Sequence, residues 1–184
     1  HECIDFHGKS PAATRDDMWS DLIEGETRDG FGFILKGRVN DVGYQSITVP
    51  GSLKAYAEAQ EAWGRLSWAD VMQPAIAEAK IGAIVRPHVY NWWTTNDGSG
   101  RVLSAERLGL TASGRQIYFN KDGSLKRVGE RLNNPEMADT LRHLAARGAE
   151  DFYTGELAGH IASDMMANEG LLSAQDLSEY STCH

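Results

Sequence analysis

Asn134 and Pro135 form the clearest helix start in the sequence. Asparagine before a helix accepts a hydrogen bond from a first-turn N–H group, and Pro135 lacks only an N–H that a helix start does not use. The apolar residues that follow at helical spacing are Met137, Leu141, Leu144 and Ala145. Gly148 then supplies a stop, so the pattern predicts an amphipathic helix between these points. The apolar stripe of such a helix has to be buried in a packed core.

Similar signals predict that helices make up most of the chain. They cover residues 51–63, 67–81, 86–93 and 156–168, and a short final helix opens at Ser173. Ser67 and Ser173 are each followed three residues later by an aspartate, which resembles a capping box. Pro74 lies about two turns into the second of these segments, which predicts a kink there or a later helix start.

The predicted β content is small. Residues 2–7 read as a short strand, and residues 116–119 and 125–128 read as a hairpin around a turn at 120–123. Gly123 suits the position in this turn where a positive φ is needed. The chain is therefore predicted to be an α+β protein that is rich in helix.

Composition and charge exclude several classes of protein. The 184 residues are enough for one domain with a core, and 41 % hydrophobic and 24 % charged residues are ordinary for a folded protein. The net charge of −8 repels a polyanion, and no basic run offsets it, so no nucleic-acid partner is expected. No apolar stretch approaches the roughly 20 residues that a membrane span needs. Cys3 and Cys183 form no CxxC motif and say little about the compartment.

The residues alone identify no reaction. The six histidines are scattered and no H-E-x-x-H motif occurs, so no metal site is expected. The pairs at 16–17 and 150–151 are interpreted as carboxylates at helix starts rather than as acid–base pairs. Trp92 and Trp93 are predicted to serve in a core or an interface, with a ligand pocket as the alternative.

A series of segments, in the same order along the chain, resembles the gamma-glutamyltranspeptidase family. They are DFHGKSPAAT (5–14), TVPG (48–51) before an alanine-rich helix, WADVMQPA (68–75), NNPEMADTL (133–141), GAEDFYTGELA (148–158) and NEGLLSAQDLSEY (168–180). The resemblance covers essentially the whole chain. It implies the helix-rich portion of an αββα N-terminal-nucleophile hydrolase sandwich, with residues 1–184 as a single domain within the large subunit.

The resemblance also implies a reaction and its partners. Family members cleave themselves into two subunits, and the new N-terminal threonine of the small subunit attacks a γ-glutamyl amide such as glutathione. The free α-amine of that threonine can take the hydroxyl proton, so no cofactor or metal is required. The expected partners are this small subunit and a small-molecule amide. No catalytic residue is assigned within the chain. The family is often periplasmic or extracellular, and a cytoplasmic location is left open.

The family resemblance places the substrate-binding prediction in the opening loop. The family has an arginine where this chain has His7, and a glutamate where it has Gly8. A guanidinium binds the glutamyl α-carboxylate through two parallel hydrogen bonds, whereas an imidazole offers at most one donor in a given pose. Lys9 can substitute partly as a point charge. His7 and Lys9 are therefore the predicted substrate-binding residues, and an ordinary loop histidine is the alternative for His7.

Three functions remain open at this stage. The first is an amidohydrolase or acyltransferase that acts on γ-glutamyl amides. The second is an enzyme of the same scaffold that acts on another amide, such as a cephalosporin-type acyl side chain or a small amide, and the change at His7 and Gly8 favours it somewhat. The third is a helical binding module without catalysis.

Overall fold

The computed structural model describes residues 2–184, which form two compact units. The first unit contains the residues up to Ser20, together with Gly43–Gln73 and Leu141–His184. The second unit contains Asp21–Val42 and Pro74–Thr140. The opening loop and the motifs at 48–51, 148–158 and 168–180 therefore all belong to the first unit.

Helices dominate the secondary structure of residues 2–184. The α-helices are α1 (Ser52–Trp63), α2 (Trp68–Ile81), α3 (Pro87–Thr94), α4 (Ser104–Leu108), α5 (Ala112–Tyr118), α6 (Pro135–Arg147), α7 (Asp151–Thr154), α8 (Glu156–Ala167) and α9 (Ala174–Ser178). Short 3₁₀ turns occur at Ser20–Leu22, Lys36–Arg38 and Tyr44–Ser46.

Two small antiparallel sheets lie within the second unit. β1 (Ile23–Glu26) pairs with β2 (Phe33–Leu35), with an irregular register between Ile23 and Gly25. β3 (Ala83–Ile84) pairs with β4 (Arg131–Leu132). These ladders are too short to form a core by themselves, so helices supply most of the packing in the chain.

The helix starts predicted from capping residues are confirmed. The Met137 N–H donates to Asn134 Oδ1 at 3.0 Å at the start of α6, and the Asp70 N–H donates to Ser67 Oγ at 3.1 Å. Ser173 and Asp176 form a full capping box at α9. Helix α2 is continuous through Pro74, so the alternative of a later start is wrong.

The predicted hairpin at 116–128 is wrong in both strands, although the turn at 120–123 is present. Residues up to Tyr118 belong to helix α5, and only Phe119 and Leu125 pair across the turn. The reason is local capping: Thr111 Oγ1 accepts a hydrogen bond from the Gly114 N–H at 3.0 Å and starts the helix. A short alternating run cannot by itself distinguish a strand from a helix.

The core of the first unit is built mainly from residues 148–180. Its buried members are Val49, Tyr153, Ala158, Met165, Leu172, Leu177 and Tyr180. Leu177 is 0 % exposed and Tyr153 is 1 % exposed. Because Val49 belongs to this cluster, the segment at 48–51 is packed against the helices at the end of the chain.

Asp151 links three helices of the first unit. Its carboxylate accepts hydrogen bonds from the Leu157 N–H at 3.1 Å, the Glu156 N–H at 3.4 Å and His143 Nε2 at 2.8 Å. The bonds from Leu157 and then from His143 lower the pKa of Asp151 below its usual value. The carboxylate thus serves as the cap of α8 and contacts α6, which confirms its predicted role at a helix start.

Replacing the Asp151 carboxylate is expected to change how the free energy of unfolding depends on pH. Because the folded pKa of Asp151 is lowered, its contribution to stability is complete above the unfolded pKa of about 3.9 and is lost as the pH falls through the folded pKa. Asp151→Asn is expected to be less stable than the wild type at pH 7, and the difference should shrink below about pH 4. Urea denaturation of both proteins between pH 7 and pH 3 measures this, with Asp16→Asn at an exposed position as the control. A difference that stays constant over this range contradicts the assignment.

Candidate functional site

The opening segment is held against the rest of the first unit at several points. Asp5 and Cys183 exchange two backbone hydrogen bonds of 2.8 and 2.9 Å. The Val49 N–H donates to the Lys9 carbonyl at 2.8 Å, and the Ala12 N–H donates to Asp176 Oδ1 at 2.7 Å. The predicted strand over residues 2–7 is therefore wrong, because isolated pairs fix this segment without a continuous ladder.

These contacts create a cleft of about 660 Å³ between two backbone segments. Residues 3–8 form one wall and residues 48–52 form the other. This volume falls within the range that small-molecule sites occupy. Among the residues that line it, Cys3, Asp5 and His7 bear titratable groups, and none is a lysine or an arginine.

The structure brings His7 to the cleft but not Lys9. The backbone of His7 is fixed, because its N–H donates to Asp5 Oδ1 at 3.0 Å and its carbonyl accepts from the Tyr180 hydroxyl at 3.1 Å. Lys9 does not line the cleft, and its Nζ lies 3.3 Å from Ser181 Oγ. Substrate binding by His7 and Lys9 stays a prediction.

Two glycines let the walls of the cleft approach their neighbours. A Cβ atom at Gly8 would lie under 3.0 Å from Thr48 Oγ1, on the opposite wall. A Cβ atom at Gly51 would lie under 3.0 Å from both the Tyr180 hydroxyl and the Phe6 carbonyl. Side chains at these two positions would therefore force the surrounding groups apart.

Two buried tyrosines lie behind the cleft, and sequence reasoning did not identify them as parts of a site. The Tyr153 hydroxyl donates to the Pro50 carbonyl at 2.9 Å and accepts from the Lys54 N–H at 3.0 Å. Burial raises the pKa of Tyr153 to about 12, so its hydroxyl keeps its proton at neutral pH. Both tyrosines lie in segments that carry the family resemblance, but no pattern in one sequence shows which carbonyl a tyrosine will reach.

The Tyr153 hydroxyl also replaces a missing helix cap. Gly51 is the residue before α1 and has no side chain with which to cap it. The Lys54 N–H in the first turn of α1 therefore finds its acceptor in a side chain from α7. This arrangement ties the start of α1 to the core and fixes the wall at 50–52.

The tandem tryptophans of α3 have different environments in the second unit. Trp93 is buried and packs edge to face on Tyr118, as predicted for a core residue. Trp92 is 75 % exposed and lines a separate cleft of about 430 Å³. Arg101 and Arg107 also line this cleft, but they are paired with Asp29 and Asp41.

Residues 2–184 show neither a cluster of metal-ligating side chains nor a membrane-spanning helix. Within this range, no three His, Cys, Asp or Glu side chains are grouped so that they could hold a metal ion. No helix in the same range has the length and apolar character needed to cross a membrane.

Comparison with known proteins decides the family. The sequence model described as "Gamma-glutamyltranspeptidase" matches residues 1–183. This chain belongs to the gamma-glutamyltranspeptidase family. The resemblance seen in the separate motifs is thereby confirmed for essentially the whole chain.

Relatives within the gamma-glutamyltranspeptidase family carry two kinds of name. The acylase ACY 1 proenzyme of Pseudomonas sp. (strain V22) is 34 % identical over 98 % of this chain and 30 % of the relative. The glutathione hydrolase 5 proenzyme of Mus musculus is 38 % identical over 75 % of this chain and 23 % of the relative. The chain thus spans less than a third of the length of these proteins.

The fold of the gamma-glutamyltranspeptidase family is confirmed by a solved structure. The gamma-glutamyltranspeptidase of Helicobacter pylori superposes with a TM-score of 0.77 at 22 % identity, over 98 % of this chain and 47 % of that one. The predicted α+β class, rich in helix, is therefore correct. The interpretation of residues 1–184 as a single domain of a large subunit stays a prediction.

Proposed function

We propose that this chain is part of a self-processing amidohydrolase that transfers an acyl group from an amide to water or to an amine. The observation that carries the proposal is the match of the gamma-glutamyltranspeptidase family to residues 1–183. Further support comes from relatives named as proenzymes, which indicates processing of a precursor in those proteins. In this proposal the chain contributes to the large subunit, and a second polypeptide supplies the nucleophile.

The proposed reaction divides its tasks between the two polypeptides. An N-terminal threonine of the second polypeptide attacks the amide carbonyl, and its own α-amine takes the hydroxyl proton. The amine leaves with a proton, and the resulting acyl ester is then cleaved by water or by an acceptor amine. In this chain, the cleft between residues 3–8 and 48–52 receives the acyl group. The cleft binds and orients the acyl group and does not take part in proton transfer.

The first candidate substrate is a γ-glutamyl amide, which the relatives named glutathione hydrolase suggest. Such a substrate carries an α-carboxylate, and a charged donor is the strongest partner for it. In this cleft the nearest counterpart to that donor is His7, which is exposed and lines the wall at residues 3–8.

The second candidate is an amide whose acyl group lacks the α-carboxylate. The observation that favours it is the lining of the cleft, which contains no lysine or arginine and holds the carboxylate of Asp5. One relative is named an acylase and not a glutathione hydrolase, which supports considering another type of amide as the substrate. Turnover of a γ-glutamyl anilide and of simple acyl anilides by the full-length processed protein separates the two candidates. Failure to hydrolyse either class contradicts the proposed function.

Changing residue 7 tests whether it determines the preference between γ-glutamyl amides and other amides. His7→Arg is expected to raise kcat/KM for a γ-glutamyl anilide about tenfold, because a guanidinium offers two charged hydrogen bonds to the α-carboxylate. Turnover of an uncharged acyl anilide should change by less than about twofold, since it has no carboxylate to bind.

A matched control adds the same charge outside the cleft. His88 is exposed on α3 and does not line the cleft, so His88→Arg should leave both substrates unchanged. If His7→Arg folds normally and brings no gain on the γ-glutamyl anilide, residue 7 does not set this specificity.

A further inference from the structure

The side chain of Tyr180 connects the end of the chain to the cleft. Its hydroxyl donates to the His7 carbonyl at 3.1 Å, across a separation of 173 residues. Tyr180 is only 4 % exposed, so water has little access to replace this hydrogen bond. Tyr180 therefore fixes the wall at residues 3–8 from the side of the core. It does so at His7, the residue that is predicted to face the substrate.

Two contacts hold the ring of Tyr180 in place. Tyr153 stacks on it with ring centroids 6.0 Å apart and an interplanar angle of 16°. The Lys9 ammonium lies 5.3 Å from the ring centroid and also contacts Ser181 Oγ. Ring stacking and a cation over the aromatic face both restrict where the hydroxyl can go. This contact gives Lys9 a structural role at the back of the wall.

The two stacked tyrosines hold opposite walls of the same cleft. Tyr180 binds the His7 carbonyl, and Tyr153 binds the Pro50 carbonyl and the Lys54 N–H. Gly51 leaves the space into which the Tyr180 hydroxyl fits. Because the rings are in contact, they connect the two walls from the side of the core, in addition to the backbone hydrogen bond from Val49 to Lys9.

We propose that Tyr180 is a positioning residue that holds His7 and its wall of the cleft at the distance needed to bind the acyl group of the amide. Tyr153 does the same for the wall at residues 50–52. The inference rests on the proposed function, because it assigns the cleft to the acyl group. Tyr180 makes no contact with the reacting atoms in this account, so it acts on substrate binding rather than on the chemical step.

The test uses Tyr180→Phe in the full-length processed protein. This variant keeps the ring and removes the hydroxyl. Expected results are a KM about 3- to 10-fold higher for the acyl anilide that the wild type prefers, with kcat within about twofold, which is the effect of losing one hydrogen bond. Amide hydrogen exchange in residues 5–9 should also become faster, because the wall loses a tether.

Tyr44→Phe is the matched control. The Tyr44 hydroxyl donates to Asp164 Oδ2 at 3.0 Å in the same unit, but Tyr44 does not line the cleft. Both variants lose one tyrosine hydrogen bond, so both are expected to melt at a lower temperature. Only Tyr180→Phe should change KM and the exchange of residues 5–9. A Tyr180→Phe protein that matches Tyr44→Phe in both properties overturns the proposal, as does a fall in kcat at unchanged KM.

Two further outcomes keep the inference separate from the proposed function. If the wild type hydrolyses no anilide, the proposed function fails, and unchanged exchange in residues 5–9 of Tyr180→Phe then overturns the positioning role independently. If Tyr180→Phe does not fold, Tyr153→Phe tests the same relation at the opposite wall. It should speed amide exchange in residues 51–54 and raise KM, and an unchanged KM in a folded protein counts against the proposal.

Discussion

Replacing Gly51 with alanine is expected to destabilise the protein by about 3 kcal/mol, at the upper end of the range for overpacking. The backbone at Gly51 has φ −104° and ψ −20°, which alanine adopts without strain. The cost therefore comes from space alone, because the new methyl group would lie under 3.0 Å from the Tyr180 hydroxyl and from the Phe6 carbonyl. Chemical denaturation of the full-length protein measures the loss.

The effect of Gly51→Ala is also expected to reach the cleft. A methyl group at this position has to displace the Tyr180 hydroxyl from the His7 carbonyl or move the wall at Phe6. Gly159→Ala is the matched control, since a Cβ atom there meets nothing within 4 Å in the middle of α8. That change should stabilise the helix by about 0.5–1 kcal/mol. Equal effects of the two substitutions would contradict the packing described for Gly51.

Truncating Leu177 to alanine is expected to cost about 2–5 kcal/mol. Its side chain is 0 % exposed and packs in the cluster that contains Tyr153, Met165 and Tyr180. Removing the side chain leaves a cavity beside the two tyrosines that hold the cleft, and the surrounding groups can fill it only partly. The free energy of unfolding from denaturant titration is the quantity to compare with the wild type.

Leu66→Ala provides the comparison for a solvent-exposed leucine. Leu66 is 63 % exposed, so its truncation should change the free energy of unfolding by less than about 0.5 kcal/mol. A loss for Leu177→Ala as small as that for Leu66→Ala would mean that the cluster behind the cleft is not a packed core.

Local chemistry explains why most helices could be predicted from the sequence. Asn134, Ser67 and Ser173 cap the helices that follow them through bonds between neighbouring residues, so the signal is contained in a few positions. The failure at 116–119 has the same origin. The capping of α5 by Thr111 decided the structure there, and the apparent alternation of side chains did not.

The candidate site could be predicted only in part, because its geometry depends on distant residues. The opening loop and His7 were found through their position in a family pattern. That loop is tied to Val49, Asp176, Tyr180 and Cys183, and no local pattern indicates such pairings. Lys9 shows the same limit: its charge suggested a substrate contact, but the fold places its ammonium over the ring of Tyr180.

In the proposed function, this chain works with a second polypeptide that supplies a nucleophilic threonine. Intact mass measurement and N-terminal sequencing of every polypeptide in the native full-length preparation determine whether that second polypeptide exists. The expected result is a co-purifying second polypeptide that begins with threonine. A single unprocessed polypeptide would contradict self-processing, and the chain would then have to be considered a helical binding module without catalysis.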